Sequence, residues 1–385
     1  MTTSFKSVSE MLTTLRPKDP VYCVYPHIYA DAAREFIDGF PGRVLYAVKA
    51  NNEAPVIQAL VDAGIRHFDC ASLQEIKEVR AVTDQGTCYF MNPVRIRDEA
   101  RIAQETFGVR HFVTDHPEGL RLLLAEIDPH KSVIFVRMAV HHESSMVDLS
   151  SKFGAPPEMA LELLEAVRQS GAEPGFAFNV GSHVMSPDAY VHAIKAGIAV
   201  LEQLPFRVRL VDIGGGYAKK YPGFDAPPIA DYLAAIRDAA NFVLSDDGEL
   251  MAEPGRALAA PGLSAVVEVL LRKDQRLYIN DGLYGVFWEL RYHAHEQYPA
   301  RVFRGGKQIR GATEAFEIMG PTCDSGDKWR GHVELPADIQ IGDYIEFGEV
   351  GAYSVGGRSD FNGFYSDQVV TITDANSVLP QVDPV

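Results

Sequence analysis

Eight short apolar runs, rich in Val, Ile and Phe, recur through the first two-thirds of the chain. They lie near residues 44–48, 67–70, 88–91, 111–114, 133–138, 176–180, 209–213 and 250–252. Runs of this length and composition suit strands buried on both faces. The stretches between them are amphipathic. Val56, Ile57, Leu60 and Val61 recur at helical spacing, with Gly64 as a stop. Leu161, Leu163, Leu164 and Val167 repeat the pattern before Gly171, and Tyr232, Leu233, Ile236 and Ala239 do so again. Such alternation implies parallel strands joined by right-handed crossovers. Eight strands is the number that closes a βα barrel, so the expected fold class is α/β with a TIM-like (β/α)8 barrel over residues 25–260.

After about Gly262 the character changes. Val266 to Leu271 leads through Lys273-Asp274 into Arg276-Leu277-Tyr278-Ile279, and Arg304-Gly305-Gly306-Lys307 reads as a hairpin turn. Tyr344 to Phe347 and Val369 to Ile372 continue the series, so an antiparallel β domain is expected here. The Asp-Gly step at Asp281-Gly282 reads most economically as another hairpin turn. At 385 residues the chain is long for one domain and comfortable for two.

A barrel predicts that reactive groups gather at the C-terminal ends of its strands. The run near 44–48 leads into Lys49, and the next into Asp69 and Ser72; later runs lead into Asn92 and Asp115. Arg137 lies inside the fifth run. The sixth leads into Asn179, Gly181 and Ser182, the seventh into Gly214-Gly215-Gly216, and the eighth into Glu253-Pro254-Gly255-Arg256. Each has a plain reading as well: a snorkelling lysine, a tight glycine turn, a surface ion pair. A desolvated lysine near other charges forms Schiff bases, however, and bare glycine amides suit a phosphate. The second domain adds Gly320-Pro321-Thr322-Cys323-Asp324, a thiol beside a carboxylate, and Gly351-Ala352-Tyr353.

Several of these motifs together resemble one family, the barrel-type ornithine/lysine/diaminopimelate decarboxylases that use pyridoxal 5'-phosphate. They are Tyr46-Ala47-Val48-Lys49, Phe68-Asp69-Cys70-Ala71-Ser72, Asp212-Ile213-Gly214-Gly215-Gly216, Glu253-Pro254-Gly255-Arg256, Gly320-Pro321-Thr322-Cys323-Asp324 and Gly351-Ala352-Tyr353. Tyr22 to His27 and Phe361-Asn362-Gly363-Phe364-Tyr365 look most like bacterial ornithine or lysine decarboxylases. The resemblance implies an alanine-racemase-like barrel, a β domain built from 1–24 plus 261–385, and a homodimer with shared active sites. It implies that Lys49 carries the cofactor as a Schiff base and that Glu253 pairs with the pyridine nitrogen. Ser182, Gly214, Gly215, Gly216, Gly255, Arg256 and Tyr353 would hold the phosphate. Asp69, Glu75 and Arg137 would shape the charge around Lys49. Cys323 would protonate the carbanion left by carbon dioxide, and Asp324 would draw the distal amine of the substrate, both from the partner subunit.

Two positions depart from the family pattern. Asn179 stands where the family has a histidine stacked on the cofactor ring. Tyr292 fits its place, but His293 falls where eukaryotic-type ornithine decarboxylases carry an aspartate for the distal amine, a position that varies among bacterial members. The set Glu289, Arg291, His293 and His295 therefore leaves room for a different or larger substrate tail. The expected activity is decarboxylation of ornithine or lysine to a diamine; the alternative is a relative acting on another amino acid or conjugate.

Composition sets limits on other classes. The net charge, 36 − 52 = −16, disfavours a nucleic-acid partner. Cys23, Cys70, Cys88 and Cys323 show no metal-ligand spacing, so reduced thiols and no metal are expected. No stretch reaches the length of a membrane span and the first residues lack a signal-peptide core, so a cytoplasmic protein is expected. Val211 to Gly216 imitates a methyltransferase motif for S-adenosylmethionine, but that motif should open a sheet, and six strand–helix units precede it here. A cofactor-carrying pseudo-enzyme would not need Lys49, Glu253 and Cys323 together. A racemase would need a base on each face of the α-carbon, roles that Lys49 and Cys323 could formally fill.

Overall fold

A computed structural model of the protein describes residues 3–141, 145–147, 151–240, 247–292 and 297–377. It divides into two compact units, 32–219 with 226–257, and 1–31 with 220–225 and 258–385.

The first unit is the barrel. Its strands are β1 (Gly42–Ala47), β2 (His67–Cys70), β3 (Thr87–Phe90), β4 (His111–Thr114), β5 (Val133–Met138), β6 (Glu173–Phe178), β7 (Leu210–Asp212) and β8 (Glu249–Ala252). Every neighbouring pair is parallel, and β8 pairs with β1 to close the ring. All eight apolar runs are thus barrel strands. The periodic stretches form helices Ala54–Asp62, Pro157–Gln169 and Ile229–Ala239. Alternate strand residues point inward, and Leu45, Tyr89, Phe135, Ala177, Leu210 and Met251 pack together in the barrel interior.

The second unit is built on one long strand, Leu263–Lys273, antiparallel to Val21–Val24, Arg276–Ile279 and Tyr344–Phe347. Arg304 to Lys307 forms the expected hairpin turn, with both glycines at positive φ as a twisted two-residue turn requires. The sheet is mixed, however. Val369–Ile372 runs parallel to Thr3–Phe5 and to Val21–Val24, and Arg276–Ile279 runs parallel to Thr313–Met319. Phe5, Val8, Met11, Leu12, Cys23, Tyr25, Val266, Phe303 and Val370 form its core.

Asp281-Gly282 is not a hairpin turn. Asp281 is buried, and its carboxylate accepts the N–H groups of Gly282 (2.7 Å) and Val286 (3.1 Å) and the hydroxyl of Tyr22 (3.0 Å). Three donors close the loop on the acid, which no local turn signal reports. Cys23, Cys70 and Cys88 are buried and Cys323 is exposed. No described helix is long and apolar enough to cross a membrane.

Candidate active site

β1 ends at Ala47, and the chain passes into a single 3-10 turn, Val48–Ala50, that carries Lys49. Lys49 Nζ lies 2.9 Å from Asp69 Oδ2 on β2. The Asp69 side chain is 1% exposed and that of Lys49 43%, so a buried acid orients an accessible amine. The second Asp69 oxygen is buried and meets no donor among the described residues.

Two further acids stand beside them. Asp212 ends β7 and Glu253 follows β8. Asp212 Oδ1 accepts the Gly214 N–H at 2.8 Å, while Oδ2 is buried without a donor among the described residues. Burial pushes Asp212 up to about 7, against the Gly214 hydrogen bond, and the charge of Asp69 adds to the rise. Burial likewise lifts Glu253 well above the usual carboxylate range, Asp212 and Asp69 raise it further, and Lys49 and Arg137 pull it back. Arg137, half-buried in β5, sits 5.5 Å over the Phe153 ring. The geometry therefore gathers Lys49, Asp69, Arg137, Asp212 and Glu253 at one end of the barrel. Sequence reading passes over Asp212 as a site residue. The available signal is an acid two residues after the inward-facing Leu210, and so on the same face.

The three glycines pack against the loops on either side. A Cβ on Gly215 would stand 2.4 Å from the Glu253 carbonyl oxygen, and Gly214 has φ 70°. The Glu253 N–H donates to the Gly214 carbonyl at 2.9 Å, which ties the two loops together. The Gly214 N–H is taken by Asp212, so Gly215 and Gly216 keep the amides that donate to no described residue. Beneath the loop, Tyr190 donates to the Gly215 carbonyl at 2.8 Å and stacks on Tyr217 at 5.0 Å.

Asn179 Oδ1 accepts the Gly181 N–H at 2.9 Å and so shapes its own loop. Ser182 opens a short strand, Ser182–Val184, paired with Ser145–Val147. Arg256 is buried and begins the turn Arg256–Ala259, directly after Gly255. Glu75 plays a structural part. Its carboxylate accepts the Ala71 N–H at 2.7 Å, and Ser72 Oγ accepts the Glu75 N–H at 3.2 Å. That is a capping arrangement at the start of helix Leu73–Val82. Burial raises Glu75 to about 7.

The sheet unit carries its own group. Cys323 is exposed, and its N–H donates to Asn362 Oδ1 at 3.1 Å. The Tyr284 hydroxyl donates to Asp324, which also accepts the Gly326 N–H at 3.0 Å. Those bonds, with Arg291 nearby, hold the Asp324 carboxyl below its ordinary range. Tyr284 stacks on Phe361 at 4.5 Å, and the Arg291 guanidinium lies 4.1 Å over the Tyr284 ring. Leu283, Tyr284, Trp288, Arg291 and Phe361 line a cavity of about 430 Å³. Tyr292 is exposed, and Tyr353 is half-buried with φ 49°. His293 lies outside the described residues. Tyr284 and Phe361 come from segments distant in the chain, so no local sequence signal pairs them.

A lysine–acid pair at the end of a barrel strand, with acids and a glycine loop around it, is an arrangement suited to a carbonyl cofactor. Comparison with known proteins supplies the family. Residues 28–260 match the pyridoxal-binding domain of pyridoxal-dependent decarboxylases, and 263–351 match their C-terminal sheet domain. A lysine/ornithine decarboxylase of Selenomonas ruminantium is 32% identical over 343 residues, 86% of this chain and 84% of that protein. The putrescine complex of a Vibrio vulnificus lysine/ornithine decarboxylase superposes with TM-score 0.81 at 28% identity, covering 96% of this chain and 99% of that one. The Paramecium bursaria Chlorella virus arginine decarboxylase does so with TM-score 0.82 at 26% identity, covering 94% and 98%. The chain belongs to the pyridoxal-dependent decarboxylases, enzymes of the alanine-racemase-like fold whose cofactor is pyridoxal phosphate.

The residues present fit that group. Three acids here face two cations, and Asp69 and Asp212 each hold a buried oxygen with no donor among the described residues. A protonated pyridine nitrogen, held by Glu253, would bring a positive charge into this set of acids. The amides of Gly215 and Gly216 suit its phosphate.

Proposed function

We propose that the protein decarboxylates a basic L-amino acid, ornithine or lysine, to the corresponding diamine with release of carbon dioxide. The observation that carries the reading is the Lys49–Asp69 pair set among Asp212, Glu253 and Arg137 at the strand ends. The substrate class is supported by the relatives named lysine/ornithine decarboxylase. Bound pyridoxal phosphate supplies an electron sink for the pair left on the α-carbon when the carboxylate departs. Lys49 is the amine that holds the cofactor covalently, and Asp69 orients it. Glu253 holds a proton at the pyridine nitrogen. Ser182, Gly215, Gly216, Gly255, Arg256 and Tyr353 hold the phosphate, while Gly214 shapes the loop. Asn179 takes the histidine's place beside the ring with an amide already engaged to Gly181. Cys323 gives its thiol proton to the α-carbon, and Asp324 accepts the distal ammonium, with Tyr292 and His293 bordering the tail. Cys323 and Asp324 serve the active site of the other subunit in a homodimer.

A second reading has one observation in its favour. Arg291 lies over Tyr284, which bonds Asp324, so a cation already stands beside the acid meant for the substrate's amine. An amino acid with an acidic or conjugated tail would suit that set.

The test begins with visible absorbance of purified wild type and Lys49→Ala. The wild type shows the band of lysine-bound cofactor; Lys49→Ala lacks it and loses about a thousandfold or more in carbon dioxide release. A colourless wild type unable to take up added cofactor sinks the reading. Carbon dioxide release is then measured across ornithine, lysine, arginine and carboxylated amino acids. Inert ornithine and lysine beside a reactive carboxylated substrate would hand the assignment to the second reading.

A further inference from the structure

We propose that Asp212 and Glu253 form a carboxyl pair that holds one proton between them, so that Asp212 sets how readily Glu253 shares its proton with the pyridine nitrogen. The inference rests on the assignment of Glu253 to that nitrogen.

The pair follows from the strands. Leu210 packs in the barrel interior, and Asp212, two residues on, faces the same way. β7 and β8 are parallel neighbours with Asp212 opposite Met251, so the residue two beyond Met251, Glu253, follows on the adjoining strand. The Glu253 N–H donates to the Gly214 carbonyl at 2.9 Å, which brings Glu253 against the end of β7, and the charge of Asp212 raises Glu253. Asp212 Oδ1 is satisfied by the Gly214 N–H, but Oδ2 is buried and no donor from the described residues reaches it. Two ionised carboxylates in such a place repel each other. A single proton turns that contact into a strong hydrogen bond.

The surrounding charge agrees. Asp69, Lys49 and Arg137 are the other charged groups that act on the pair. With every group ionised, Asp69, Asp212 and Glu253 outnumber Lys49 and Arg137, and one proton shared by the pair relieves its own repulsion. Two tyrosines also feel these acids: burial raises Tyr89 and the charge of Asp212 adds to the rise, while Tyr217 is buried with no partner for its hydroxyl among the described residues, its ring fixed by Phe36 at 5.1 Å and Tyr190 at 5.0 Å. Burial and the neighbouring acids Asp212 and Glu253 keep Tyr217 neutral. Tyr217 therefore borders the pair without adding a charge.

A plainer role for Asp212 would be to hold the glycine turn through Oδ1 alone. Asparagine serves that role equally well, because its amide oxygen still accepts the Gly214 N–H. Asp212→Asn thus separates the shared proton from the turn. Asp212 is a positioning residue in this scheme, acting on the cofactor through Glu253.

The experiment is a pH titration of the visible absorbance of the holoenzyme, in wild type, Asp212→Asn and Glu253→Gln. Asp212→Asn removes a negative charge from behind Glu253, so the pH at which the spectrum changes falls by about one unit or more. Glu253→Gln changes the spectrum and its pH dependence as well. If Glu253→Gln shifts the titration and Asp212→Asn does not, the Glu253 assignment stands and the pair fails. If Glu253→Gln leaves the titration unmoved, the assignment itself fails and the pair falls with it. Difference infrared spectroscopy of wild type against Glu253→Gln at about pH 8 decides the matter even where Asp212→Asn does not fold. At that pH Glu75, at about 7, and Asp281, at about 6, are ionised. A protonated-carboxyl stretch present in wild type and absent in Glu253→Gln supports the pair; its absence from wild type overturns it.

Discussion

At the N-terminal ends of the barrel strands, Arg43 makes a bidentate ion pair with Glu249, and its Nη1 donates to the Tyr89 hydroxyl at 3.1 Å. That hydroxyl also meets His67 Nδ1 at 3.1 Å, and the Tyr89 ring stacks on His111 at 4.1 Å. At the C-terminal ends, Lys49 pairs with Asp69, but buried oxygens of Asp69 and Asp212 meet no donor among the described residues. Both ends use acids and bases on neighbouring strands. One end closes its hydrogen bonds almost completely, His111 Nδ1 being the exception; the other leaves them open where acids outnumber cations. An unsatisfied buried acid destabilises the fold, so an end built this way makes sense as a place kept for a ligand. The contrast points to the C-terminal end as the one kept for a ligand, without reference to any relative.

The largest test of that contrast is Gly215→Ala. Its Cβ would press on the Glu253 backbone at 2.4 Å, so the loops after β7 and β8 must separate. The expected cost is about 2–3 kcal/mol in urea unfolding, together with weakened cofactor retention on dialysis. Unchanged retention would mean the glycines serve packing alone.

The pH dependence of stability comes next, measured on the cofactor-free protein. Burial lowers His67 to about 4 and His111 to about 3. Between those values and their ordinary 6.5 the unfolded chain holds more protons, so stability rises with pH across about 4 to 6.5. Asp212 is raised from 3.8 to about 7, so the folded state holds the extra proton and stability falls with rising pH over that window. The two ends pull in opposite directions, each group by at most about 1.4 kcal/mol per pH unit. Asp212→Asn should steepen the rise in stability and His111→Phe should flatten it. Two variants with the wild-type slope would break the comparison.

The open end is easier to read from sequence than the closed one. Lys49, Glu253 and the glycines follow directly after apolar runs, so the barrel geometry alone marks them. The barrel strands are legible because each run is apolar on both faces; only their ends move, as when Val48 leaves β1 for the turn that carries Lys49. Asp212 escapes because it sits inside a run rather than after it. The Arg43, His67, Tyr89, His111 and Glu249 network escapes for another reason. Its members are local oddities until β8 pairs with β1 to close the barrel and the Arg43 side chain can reach Glu249. The parallel pairings of Val369–Ile372 and the buried Asp281 likewise depend on partners hundreds of residues away.

At the closed end, Tyr89→Phe removes one hydroxyl and leaves Arg43 and His67 each short of a partner. Both retain some access to water, so the loss should be about 1 kcal/mol, with kcat/KM unchanged within about twofold. A large loss of activity there would show that the two ends communicate, and the contrast would need to be redrawn.

Arg43→Met is the smallest change and the sharpest control. The ion pair looks strong, because two nitrogens of the guanidinium meet both oxygens of Glu249. Its side chains are 30% and 35% exposed, however, so water screens the attraction and hydrates Glu249 once Arg43 is gone. The methionine stem keeps most of the packing. Stability should therefore fall by only about 0.5–1 kcal/mol, and the loss should shrink as salt is added. A salt-independent loss several times larger would mean that the pair behaves as a buried one. In that case the N-terminal end would be held together by charge as tightly balanced as that around Lys49, and the distinction between the two ends would rest on unmet donors alone.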